Sequence, residues 1–234
     1  MKIKKYQFIS GAKKAEGLTV IIDVFRAYTT AAYLFEQGAE EIYIVSKVET
    51  AEYLRDQLKN PVLIGERKGI KLKGFDYNNS PYFISQNNFD DHQIILSTSA
   101  GTKGIINAEN ADEIITGSFV NISATANYIK NKDPEIVSLV AMGNNGIREA
   151  EEDLLYADTL EKLIKNREIP SQTSIRKKLL ESAGKRFFNE NTQSEMPKQD
   201  FYYSLTLDRF NFIIKAHKYA EDIYQLKNSI RNLE

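Results

Sequence analysis

The chain has 234 residues, 42% of them hydrophobic, and a formal net charge of −1. That length and apolar share support one large α/β domain or two small ones, and the near-neutral balance argues against nucleic acid or an anionic membrane as the main partner. The absence of cysteine excludes disulfides, thiolate metal sites and a cysteine nucleophile.

Met1–Ser10 reads as an edge strand and Gly11–Gly17 as a charged loop. The run Leu18-Thr19-Val20-Ile21-Ile22 is short, apolar and β-branched, which predicts a strand buried on both faces, as in a parallel sheet. Asp23 falls at its end, Arg26, Thr29 and Thr30 follow, and the segment turns helical until Gly38. Taken alone, Asp23 is as well explained as a helix cap paired with Arg26. Ala39–Val45 predicts the next strand, Val48–Leu58 a helix broken by Asn60-Pro61, and Val62–Ile64 a short strand entering Gly65-Glu66-Arg67. Lys68–Phe83 has loop composition, and a loop that long in a compact domain is usually functional or disordered.

Gln93–Ser97 predicts a strand ending in Thr98-Ser99-Ala100-Gly101-Thr102-Lys103-Gly104, with helix from Ile105 onward. Ala111–Thr116 predicts a strand entering Gly117-Ser118, Val120–Lys130 a helix, Glu135–Val140 a strand, and Arg148–Lys165 a helix after Gly143-Asn144-Asn145-Gly146. The stretch from Thr30 to Ile42 lines up with that from Thr102 to Ile114, each following strand, polar turn, helix, acidic turn and strand. Chance likeness among α/β units is the rival explanation of so short a match. Past Ile169-Pro170 the character changes: Ser171–Phe188 reads as a basic helix, Asn189–Asp200 as a polar loop, and Asp208–Leu233 as an amphipathic helix containing His217.

The expected fold is a three-layer α/β/α arrangement with a largely parallel sheet and two similar βαβα halves. Residues 1–170 form the core, with halves of about 1–90 and 91–170, and 171–234 form a helical extension packed on it. The aromatic tail suits a homodimer contact and has no independent function in this reading. No apolar stretch approaches the roughly 18 residues of a membrane span, and Met1–Ser10 lacks an apolar h-region, so a cytoplasmic protein is expected.

Only two histidines are present, His92 and His217, and neither sits in a motif. Any catalysis must therefore use carboxylates, hydroxyls, arginine, lysine and a hard metal ion. Each strand feeds a polar, glycine-bearing turn, and in an open α/β sheet such turns gather at the carboxyl ends of the strands. Backbone N–H groups, helix N-termini, Lys103 and two arginines make a set suited to a phosphate or sulfonate. The turn Thr98–Lys103 is not a nucleotide P-loop pattern. A haloacid-dehalogenase-type phosphatase also has Asp at a strand end, but it wants a second acid where Phe25 stands.

The motifs Asp23-Val24-Phe25-Arg26-Ala27-Tyr28-Thr29-Thr30, Gly65-Glu66-Arg67-Lys68-Gly69, Gly74-Phe75-Asp76-Tyr77-Asn78-Asn79-Ser80-Pro81, Thr98–Lys103, Gly117–Asn121 and Glu152-Asp153 occur in this order. The chain resembles the 2-phosphosulfolactate phosphatases, Mg2+-dependent enzymes of coenzyme M biosynthesis, and their bacterial relatives. The resemblance implies hydrolysis of the phosphate monoester of a small acidic metabolite. Asp23 would be nucleophile or metal ligand, and Asp76 an acid/base on a closing loop. Arg26, Arg67 and Lys103 would hold phosphate and acidic groups. Thr29, Thr30, Asn79, Ser80, Thr98, Ser99, Gly101, Thr102, Ser118 and Asn121 would add substrate contacts, and Asp23, Glu66, Glu152 and Asp153 would hold Mg2+. The family usually has Asn at Ala100, Cys at Ala141 and Gly at Asp158. Those departures keep open a second reading, a relative that binds a phosphate- or sulfonate-bearing ligand without hydrolysing it.

Overall fold

The computed structural model describes residues 1–229. Its centre is a ten-stranded sheet whose strands, in chain order, are β1 (Lys2–Gln7), β2 (Gly17–Ile22), β3 (Glu41–Val45), β4 (Pro61–Arg67), β5 (Ile70–Lys71), β6 (Gln93–Ser97), β7 (Ala111–Gly117), β8 (Ile136–Ala141), β9 (Ile213–Ala220) and β10 (Ile223–Ser229). The helices are α1 (Phe8–Ala12), α2 (Ala27–Glu36), α3 (Val48–Arg55), α4 (Pro81–Ile84), α5 (Gly101–Asn107), α6 (Ile122–Lys132), α7 (Glu151–Ile164), α8 (Gln172–Leu180) and α9 (Lys198–Ser204). Most expected elements are present with shifted ends. Phe8–Ser10 leaves the expected edge strand for α1, and the expected helix over Ser171–Phe188 divides into α8 and a 3-10 segment, Ala183–Phe188.

Strand order across the sheet is β1-β8-β2-β7-β9-β10-β3-β6-β4-β5. Block one, β1-β8-β2-β7, and the run β3-β6-β4 of block two are each parallel within themselves. The two halves of the sequence are interlocked in the sheet. β2 lies between β7 and β8, and β6 lies between β3 and β4, so each half places its first apolar strand between two strands of the other. The crossover β2-α2-β3 leaves block one for block two, and β6-α5-β7 returns. A cut near residue 90 therefore divides the sequence but not the sheet.

Strand alternation builds three layers. On β3, Ile42 and Ile44 face a core shared with α2 and α5, while Tyr43 and Val45 face α3. On β2, Ile21 joins the first core, while Leu18, Val20 and Ile22 face α6, α7 and α8. Burial on both faces explains why these strands are continuous apolar runs.

The expected helix over Asp208–Leu233 is corrected by the structure. Residues 213–229 form an antiparallel hairpin, β9–β10, that joins the blocks through β7 and β3; Ile230–Leu233 lie outside the described residues. Phe212, Ile214, Tyr224 and Leu226 join the same core as α2 and α5. Lys215, Lys218 and Lys227 give the segment the look of an amphipathic helix, but cross-strand pairing and burial of alternate residues decide its form. Through this hairpin the blocks run in opposite directions, and loops from both nevertheless line one cleft.

Leu226 is fully buried in the joining hairpin. Leu226→Ala is expected to destabilise the protein by about 2–5 kcal/mol, read as a lower urea midpoint at unchanged slope.

Candidate active site

One cleft of about 540 Å³ lies where loops from both blocks meet. Asp23 and Arg26 after β2, Glu66, Lys68 and Gly69 at the end of β4, Ser99 and Ala100 after β6, and Gly143–Asn145 after β8 line it. Glu152 and Asp153 come from the first turn of α7, and Arg186, Phe187 and Met196 from the C-terminal segment.

Asp23 ends β2 with both oxygens held. Oδ1 accepts from the Ala27 amide at 3.2 Å and Oδ2 from the Gly101 amide at 2.8 Å, the first residues of α2 and α5. A Cβ on Gly101 would lie 2.9 Å from Asp23 Oδ2, so glycine permits the approach. Burial pushes the Asp23 carboxyl up to about 6, the two backbone bonds oppose this, and Glu66 and Glu152 add repulsion. Asp153 bridges neighbouring loops, accepting from Val24 N at 2.9 Å and Gly143 N at 2.8 Å. Gly143 has φ +66°, and a Cβ there would meet the Arg148 carbonyl at 2.1 Å, so this tight turn also requires glycine. Burial, then Glu152 and Asp23, hold Asp153 well above the usual carboxylate range.

Glu66 is buried and accepts from Ser99 N at 2.8 Å, Gly69 N at 2.7 Å and Ser99 Oγ at 3.2 Å. Glu152 is buried too. Its Oε1 meets Arg186 Nη2 at 3.2 Å, while its Oε2 is buried without a hydrogen-bond partner. Burial raises the Glu152 carboxyl against the pull of Arg186.

The structure thus gathers Asp23, Arg26, Glu66, Asn79, Ser99, Glu152 and Asp153 of the expected residues. Arg26 is only partly available: its Nη1 meets Asp200 of α9 at 2.6 Å and the Glu195 carbonyl at 2.9 Å, all in a buried setting. Gly101 contributes its amide to Asp23 rather than to the cleft surface.

Other expectations are corrected. Asp76 is exposed in a separate hollow, where its carboxylate accepts from Leu63 N at 2.8 Å and fixes β4. Arg67 turns away from the cleft, donating to the Ser46, Glu66 and Ser97 carbonyls and Ser97 Oγ. Lys103 is on α5 and does not line the cleft. Thr29 bonds the Val24 carbonyl, Thr102 the Thr98 carbonyl, and Ser118 the Asn121 side chain, whose amide reaches the Phe212 carbonyl. Thr98 accepts from Thr102 N, Thr30 is buried in α2, and Ser80 caps α4 and donates to Asp200. Apart from Thr30, whose buried hydroxyl has no partner, these hydroxyls and amides bond within the fold, and none of these residues lines the cleft.

Sequence reasoning missed Lys68, Arg148 and Arg186 as cleft cations. The turn Gly143–Gly146 was the available signal for Arg148. Arg186 stands in a segment whose composition gives no motif. Of the three family departures, Ala100 lines the cleft, whereas Ala141 and Asp158 line a different hollow near Lys5.

No group of three or more acidic or histidine side chains converges as a ready metal cage among the described residues. The residues still suit a hard cation of the Mg2+ type, which needs only one or two carboxylates plus waters and substrate oxygens. The orphaned Glu152 Oε2 and the mutual repulsion of Asp23, Glu152 and Asp153 are what such an ion would relieve.

A raised carboxyl stabilises the fold below its ordinary value of 3.8 and loses that contribution as pH rises through about 6. In metal-free protein, the unfolding free energy of wild type relative to Asp23→Asn should therefore fall between pH 4 and pH 7. Denaturant titrations across that range, with a flat difference as the contrary result, check the assignment.

The geometry agrees with comparison to known proteins. A family model described as 2-phosphosulpholactate phosphatase matches residues 4–219. A probable 2-phosphosulfolactate phosphatase of Bacillus subtilis (strain 168) is 27% identical over 223 residues, covering 94% of this chain and 96% of that protein. Proteins of the same description are 34% identical over 179 residues in Thermotoga petrophila, covering 76% of this chain and 74% of that one, and 32% identical over 203 residues in Thermoplasma volcanium, covering 86% and 91%. With nearly the whole chain matched and the cleft built from the matched segments, the chain belongs to the 2-phosphosulpholactate phosphatase family.

Proposed function

We propose that this chain is a Mg2+-dependent phosphoric monoester hydrolase acting on a small acidic metabolite, with 2-phosphosulfolactate, named for its relatives, as the reference substrate. The observation that carries the reading is the single cleft in which four acidic side chains from β2, β4 and α7 face Lys68, Arg148 and Arg186. Phosphoryl transfer asks mainly for positioning and for opposite charge around the transferring group, which such a cleft supplies.

Glu152, with its free oxygen, and Asp23 are the residues we assign to Mg2+, with Glu66 and Asp153 completing the acidic surround. The ion would act as a Lewis acid toward phosphate oxygens. Each Asp23 oxygen accepts one backbone hydrogen bond and keeps a further lone pair, which serves a metal ligand or an attacking group. Lys68 and Arg148 hold phosphate at the mouth, and the Asn79 amide orients it. Phe25, Phe187 and Met196 exclude water along one wall. A cytoplasmic setting belongs to the same proposal.

The test is phosphate release from phosphorylated carboxylic and sulfonic acids with Mg2+ and with EDTA. Release should require the metal and fall roughly a thousandfold or more in Asp23→Asn. Asp76→Asn, which lies outside the cleft, should keep its rate within about twofold of wild type once folded. Full activity in EDTA, or in Asp23→Asn, would overturn the proposal.

A further inference from the structure

Four cationic side chains line the cleft, and they are not equivalent. Arg26 is matched by the buried Asp200. Lys68 and Arg148 are exposed at the mouth. Arg186 alone is both oriented and open. Its guanidinium lies 5.6 Å from the Phe25 ring centre and 5.3 Å from that of Phe187. Nη2 donates to Glu152 Oε1 at 3.2 Å and to the Phe25 carbonyl at 3.4 Å. Nε is buried with no partner, and the side chain as a whole keeps 36% exposure.

With Nη2 committed to Glu152 and the Phe25 carbonyl and Nε buried, the guanidinium held by the two rings keeps Nη1 as its open donor. A charged donor fixed in direction suits an oxygen of an acid group better than a freely rotating ammonium does. The apolar wall of Phe25, Phe187 and Met196 beside it suits a short carbon skeleton, while the loop after β6 and the exposed Lys68 and Arg148 suit a phosphate. Building on the phosphatase reading, we propose that Arg186 is the specificity-determining residue that grips the substrate's non-transferred carboxylate or sulfonate, and so orients the phosphate toward Asp23. Arg186 comes from the C-terminal segment, so the part of the chain outside the motifs selects the substrate.

The experiment compares wild type, Arg186→Met and Arg186→Lys with Mg2+ on two esters, 2-phospholactate, which bears an acid group, and ethyl phosphate, which does not. Charge-assisted hydrogen bonds of ordinary strength predict that Arg186→Met loses about 10- to 100-fold more kcat/KM on phospholactate than on ethyl phosphate, chiefly through KM. Arg186→Lys should recover part of the difference. Equal losses on the two esters, or no loss on either, would overturn the proposal, because a phosphate-holding or purely structural Arg186 does not discriminate between them. Thermal melts identify a variant that fails to fold, in which case Arg186→Lys carries the comparison. If wild type hydrolyses neither ester, the phosphatase reading stands or falls on the wider panel of phosphorylated acids, and calorimetric titration with sulfoacetate tests the grip separately. Binding by wild type that is lost in Arg186→Met supports it, and unchanged binding or none overturns it.

Discussion

The site depends on one shared anion, the Asp23 carboxylate between the starts of α2 and α5. Helix N-termini leave amides without intrahelical partners, and they favour negative charge. Here two of them, from Ala27 and Gly101, converge on one buried side chain. These helices are the two crossovers that exchange strands between the blocks, so the carboxylate joins the interlocked halves where they meet. Asp153 repeats the device one strand over, joining the loops after β2 and β8. Holding so many acids in one cleft costs desolvation and repulsion, seen in the raised Asp23, Glu152 and Asp153 carboxyls. The backbone amides offset part of that cost, and a cation would offset the rest.

The residues past Pro170 complete both the sheet and the site. β9 and β10 supply the ladder between the blocks, and the segment before them roofs the cleft. Asp200 receives Arg26, Ser80 and the Tyr82 amide. Glu195 accepts from Asn78, Arg26 and the Lys71 amide, so it ties the long loop after β4 to the loop after β2. What reads in sequence as a helical wrap is therefore structural mortar that also lines the cleft.

The strands were legible because burial on both faces writes itself as an unbroken apolar run, as in Val20-Ile21-Ile22 or Ile94-Ile95-Leu96. Asp23 and Glu66 were legible because they follow such runs closely, and Glu152 and Asp153 because they open a helix after the glycine-bearing turn past β8. The β9–β10 hairpin was not, since its turn is Glu221-Asp222 with no glycine, and lysines interrupt its outward positions. Asp222 takes φ +57°, a left-handed conformation that Asp tolerates but does not advertise. The cleft cations were the least legible, because a long side chain can reach a site from any nearby loop.

Motif membership also failed to separate residues that touch a ligand from residues that hold the loops. Arg67 shows why. Its guanidinium gathers carbonyls from Ser46 after β3, Glu66 on β4 and Ser97 on β6, binding together three strand ends of one block. That work needs a fork of five donors as much as phosphate recognition does, and a sequence cannot tell the two uses apart. The same holds for Asp76, whose carboxylate completes the start of β4. Of the four acids in the cleft, Asp23, Glu66 and Asp153 are fixed by backbone amides at strand and helix ends, whereas Glu152 is held by Arg186. Of the rim cations, Lys68 and Arg148 are exposed on loops, while Arg186 of the C-terminal segment is held by Glu152, the Phe25 carbonyl and two rings. On the proposed reading the acidic floor would hold the metal and the rim would meet the substrate, both carried by the same ten-stranded frame.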